Sequence, residues 1–81
     1  MVKTLGVRIK IMEIIDLSRS EIEYLIDEWI IGNNGQRDRK LMKRRLIDGI
    51  TYENLAEEFD LTERQVKNIC YKNMEKLIKH L

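Results

Sequence analysis

Residues 52–71, YENLAEEFDLTERQVKNICY, describe two short amphipathic helices separated by a tight turn. Leu55, Ala56, Phe59, Leu61, Val66 and Ile69 recur at helical spacing on both sides of a break at Asp60-Leu61, as one apolar face per helix requires. Thr62 followed three residues later by Gln65 is a capping box, in which each side chain bonds the other residue's backbone amide. Thr51 can cap the shorter helix that precedes the break. This is the pattern of a helix-turn-helix, whose second helix is presented to a DNA major groove.

Downstream, Val66, Ile69, Cys70, Met74, Leu77, Ile78 and Leu81 continue one apolar stripe. It predicts a last helix of roughly 18 residues, about 27 Å long, whose far half packs back on the first helix. Upstream, a helix over residues 36–48 turns Leu41, Met42, Leu46 and Ile47 inward, and Gly49 stops it. The Gly32-Asn33-Asn34-Gly35 run tolerates left-handed backbone and reads as a linker. Ser18 with Glu21 forms a second capping box that starts a helix near Arg19. Ile22, Leu25, Ile26, Trp29 and Ile30 give that helix its inner face, with Trp29 as a core anchor. Tyr24 and Tyr52 are taken as packing residues. The expected architecture is all-α: a small four-helix domain over residues 13–81, containing a helix-turn-helix and a long C-terminal recognition helix.

Residues 1–12 follow another pattern. Val7, Ile9 and Ile11 alternate with Arg8 and Lys10, as in a strand, yet nothing else in the chain offers a strand to pair with. The extension is expected to be disordered or a lone strand, with disorder preferred.

The 81 residues suffice for one modest core. With 43% hydrophobic and 36% charged residues, the composition is globular and strongly amphipathic. No apolar run approaches the roughly 20 residues of a membrane span, and residues 1–12 lack the apolar core of a secretion signal. A cytoplasmic location without membrane association is expected. Cys70 is the single cysteine, so an internal disulfide is excluded and no zinc set can form. It reads as a small buried residue. His80, the single histidine, lies about three helical turns from Cys70 and complements the helix dipole. The paired carboxylates Glu21-Glu23 and Glu57-Glu58 fall on exposed helices without a sheltered cleft. No catalytic residues, metal ligands or cofactors are expected.

The net charge of +1 conceals a strong asymmetry. Glu13, Asp16, Glu21, Glu23, Asp27 and Glu28 make the stretch 13–31 acidic, against only Arg19. Arg37, Arg39, Lys40, Lys43, Arg44 and Arg45 make the second helix basic, and Arg64, Lys67, Lys72, Lys76 and Lys79 continue that sign on the last. Such a division can present one basic face to phosphates.

The segment LIDGITYENLAEEFDLTERQVKNICYKNMEKLIKHL, with the preceding QRDRKLMKRR, resembles sigma factor region 4, the helix-turn-helix that reads the −35 promoter element. The resemblance covers residues 36–81. With the front helix LSRSEIEYLIDEWI, the chain is similar to small regulators of phages and prophages of Gram-positive bacteria. LTERQVKNI also resembles the opening of the reading helix in response-regulator output domains. The resemblance implies base reading by Glu63, Arg64, Lys67 and Asn68, with Thr62 capping the helix and touching a phosphate. Asp60 stands where these families usually have glycine, and nothing corresponds to the strand-opening region 2. Independently of the family, Arg64 and Asn68 lie four apart on one helix face and can read guanine and adenine, with Lys67 and Tyr71 adjoining. Lys40, Lys43, Arg44, Arg45, Tyr71 and Lys72 would hold the phosphate backbone.

The expected function is that of a sequence-specific regulator of transcription whose partner is double-stranded DNA. A homodimer or RNA polymerase would supply contacts that one small domain lacks. Two alternatives remain: a protein-interaction module binding RNA polymerase or a sigma domain, and a small terminase-like component of DNA packaging.

Overall fold

The computed structural model describes residues 17–80, and the expectation for residues 1–12 lies outside them. Among the described residues there are four α-helices: α1 (Arg19–Trp29), α2 (Gly35–Leu46), α3 (Tyr52–Phe59) and α4 (Glu63–Ile78). The all-α, four-helix expectation holds. None of these helices is long and apolar enough to cross a membrane.

Three of the four helix starts are local side-chain chemistry. Ser18 Oγ accepts the Glu21 amide at 3.2 Å, and Glu21 Oε1 accepts the Ser18 amide at 3.3 Å. Thr51 Oγ1 accepts the Asn54 amide at 3.2 Å. Thr62 and Gln65 exchange bonds of 3.1 and 2.9 Å. These caps satisfy first-turn amides that the helix itself cannot pair. The start of α2 differs, because Asn34 makes no side-chain cap and Gly35 begins the helix buried. Arg39 folds back there and donates from Nη1 to the Ile30 carbonyl at 2.7 Å, so α2 satisfies the end of α1.

The turn between α3 and α4 closes through Asp60, which adopts a left-handed conformation at φ 55° and ψ 48°. The Leu61 amide then reaches back to the Ala56 carbonyl at 2.9 Å. Aspartate reaches this region more readily than most residues, and so it stands in for glycine.

The core draws Ile22 and Ile26 from α1, Ile30 from the residue that ends it, Leu41 and Met42 from α2, Leu55 from α3, and Val66, Cys70 and Leu77 from α4. Each large member contributes about 1.5–3 kcal/mol by leaving water. Like α2, helix α4 packs against all three others. Its end returns to α1, as the apolar stripe predicted.

Several local expectations need correction. Helix α4 has 16 residues rather than roughly 18. Helix α2 ends at Leu46 instead of running to residue 48, although Gly49 is left-handed, at φ 69°. Trp29 is 39% exposed and is no core anchor. It occupies the last position of α1, and its ring stacks on His80 with centroids 3.5 Å apart. His80 is therefore a packing partner of α1. Tyr24 is 65% exposed, because the inner face of α1 is already filled by Ile22 and Ile26.

Candidate nucleic-acid interface

The first two turns of α4 are amphipathic in a strict sense. Val66 and Cys70 are buried beneath the helix, while Glu63, Arg64 and Asn68 are exposed and Lys67 is half-buried. At 100° per residue Arg64 and Asn68 lie opposite Val66 and Cys70, Lys67 stands at the side, and Glu63 is exposed at the helix start. Arg64 forms no ion pair among the described residues. Lys67 lies 3.6 Å from Glu63, an i,i+4 pair along the exposed edge. Exposure of both partners makes that pair worth little, so either side chain can exchange it for another ligand. Thr62 spends its hydroxyl oxygen on the cap.

One turn further, Tyr71 is 58% exposed and meets the edge of Tyr52 at a centroid distance of 6.5 Å. Two cations face the same Tyr52 ring. Arg45 lies 4.2 Å from its centroid and Lys67 5.7 Å, a geometry favoured by the ring quadrupole. Arg45 is further held by a 2.9 Å bond from Nη1 to the Ile50 carbonyl. Tertiary packing thus brings Arg45, Lys67 and Tyr71 together from α2 and α4 around Tyr52 of α3. Lys72, next along α4, is exposed.

The other α2 cations go elsewhere. Lys43 Nζ is 2.7 Å from Asp27 on α1. Arg44 Nε is 3.1 Å from Glu58 on α3, and its Nη1 is 3.1 Å from Asp48. The hydrogen bond to Glu58, followed by that to Asp48, pushes the Arg44 pKa above its ordinary value. Lys40 is exposed and sits 6.0 Å from the Phe59 ring centroid. Consecutive residues on a helix diverge by 100°. Lys43, Arg44 and Arg45 consequently face α1, α3 and the Tyr52 cluster, and do not form one gripping row.

The sequence reading missed Asn73. Its side chain is fully buried, donating to Asp38 Oδ2 at 3.3 Å and to the Ile69 carbonyl at 2.9 Å. Asp38 also accepts Arg37 Nε and Nη2, both at 3.1 Å. A signal existed: position 73 falls between Cys70 and Leu77 at the spacing of the inner stripe, where a polar residue requires a buried partner.

Cys70 sits beneath the interface. Burial, which disfavours the thiolate, pushes its pKa up to about 11, against a smaller lowering by Arg45. That environment opposes a nucleophilic role. Comparison of the chain with protein-family models, with curated proteins and with solved structures finds no match.

Proposed function

We propose that this protein is a sequence-specific double-stranded DNA-binding regulator of transcription that inserts the first turns of α4 into the major groove. One observation carries the reading: Glu63, Arg64 and Asn68 form an exposed edge immediately after a capped helix start, on a helix braced by three others. A rigid polar edge of this kind matches what base readout needs. In this reading Arg64 and Asn68 face base edges, while Lys67, Tyr71, Lys72 and Arg45 follow the phosphates. Enrichment of duplexes from a random pool tests it, followed by affinity measurements over a salt series. Arg64→Ala should relax sequence preference by about 1–3 kcal/mol with little change in salt slope. Absence of salt-dependent binding to any duplex would reject the proposal.

A second reading, a module that binds RNA polymerase or a sigma domain, is supported by α1 and the residues just after it. There Tyr24 and Ile31 are 65% and 67% exposed beside Glu21 and Glu28. Co-purification with polymerase that survives combined Arg64→Ala and Asn68→Ala substitution would favour it over DNA reading.

A further inference from the structure

A cavity of about 220 Å³ opens between α2, α3 and α4, beside the Tyr52 cluster. Its lining is largely apolar, with Met42, Leu46, Cys70 and Met74 beside Tyr52 and Tyr71. Arg45 is the one ionisable side chain in the lining apart from the tyrosine hydroxyls and the Cys70 thiol. Its neighbours Lys43 and Arg44 each hold a carboxylate, whereas Arg45 has none among the described residues. One of its N–H groups is bound to the Ile50 carbonyl. A guanidinium carries five donors, so most of the fork stays available.

We propose that this cavity binds a small single-ring aromatic carboxylate. Size sets the first limit: an apolar cavity of about 150 Å³ is known to hold benzene, and the larger space here leaves room for one carboxylate. Chemistry sets the second. Tyrosine rings favour offset or edge contacts with another ring, and methionine sulfur packs well against aromatic edges. Arg45 offers bidentate bonds to a planar carboxylate. A phosphate dianion would enter an apolar site with a single countercharge, which desolvation opposes. Binding is measured on the free protein, so the proposal stands or falls apart from the DNA reading.

The test uses full-length protein carrying ¹³C-methyl methionine, titrated separately with benzoate, acetate and toluene. Benzoate should shift the Met42 and Met74 methyl resonances saturably, and acetate should not. Arg45→Gln should weaken benzoate about tenfold or more, the loss of a charge-assisted bond, while toluene binding stays within about twofold. Met74→Trp fills the space and should abolish binding of both benzoate and toluene. The proposal is overturned if benzoate gives no saturable shift up to about 10 mM. Equal benzoate binding in Arg45→Gln, or an acetate response matching that of benzoate, would also overturn it. If either variant unfolds, the comparison of the three ligands on the unaltered protein decides.

Discussion

Asn73 Nδ2 lies 3.3 Å from Asp38 Oδ2, joining α4 to α2 across 35 residues of sequence. Asn73 is fully buried, and its Oδ1 has no hydrogen-bond partner among the described residues. The side chain therefore stabilises through two donated bonds, to the Asp38 carboxylate and the Ile69 carbonyl, while carrying an unmatched acceptor. Asn73→Ala should cost about 1–3 kcal/mol in urea unfolding, because it removes both bonds and leaves a void. Asn73→Leu should cost less, since it refills the space and deletes the orphan oxygen. Equal losses in the two variants would show that the hydrogen bonds, not the filling of space, govern the position.

Asp60 holds a left-handed backbone at φ 55°. Glycine enters that region without a Cβ penalty, so Asp60→Gly should stabilise the domain by up to about 1 kcal/mol. A β-branched substitute, Asp60→Val, should destabilise it by a similar or larger amount. Thermal unfolding of the two variants checks the order. A lower melting temperature for the glycine form would mean that the Asp60 side chain contributes more than its backbone strain removes.

Under the DNA-binding proposal, the cations should separate by their present partners. Lys72→Ala should lower the slope of log affinity against log salt by about 1, as expected for one lost phosphate contact. Arg44→Gln should leave that slope unchanged and lower the melting temperature instead, because Arg44 joins Glu58 and Asp48. A reduced slope for Arg44→Gln would mean that the ion pairs open on binding.

The Cys70 thiol is raised from 9.0 to about 11 by burial. At pH 8 the native thiol should react with a disulfide reagent about a hundredfold more slowly than in denatured protein, in proportion to thiolate content. Stability follows the same displacement. Below the unfolded value both states retain the proton, and stability is unaffected. Between 9.0 and about 11 the unfolded chain releases its proton and the folded chain keeps it, so stability declines as pH rises, by at most about 2–3 kcal/mol. A Cys70→Ser control should lack this alkaline decline, and a decline of equal size there would assign it to other groups.

Much of the architecture was legible in short windows of residues. The caps at Ser18, Thr51 and Thr62, the left-handed turn at Asp60 and the inner stripe of α4 involve groups within a few positions of each other. Their geometry follows from backbone hydrogen bonding and helical periodicity alone. The exposure of Arg64 and Asn68 was legible for the same reason, as the outer side of an apolar stripe, and that of Glu63 from its place at the helix start. Its role in DNA reading remains a proposal on chemical grounds.

The partners of charged and aromatic groups were not legible. Nothing local in the chain says that Lys43 meets Asp27, that Arg44 meets Glu58, or that Trp29 stacks on His80. Those pairings depend on how helices cross and rotate, which is set by the jointly buried core. Composition and spacing established four amphipathic helices, their caps and their apolar faces, because these are short-range properties. Folding in three dimensions chose which cations are neutralised, which aromatic rings remain open and where a cavity is left, because those choices belong to contacts between helices far apart in the chain.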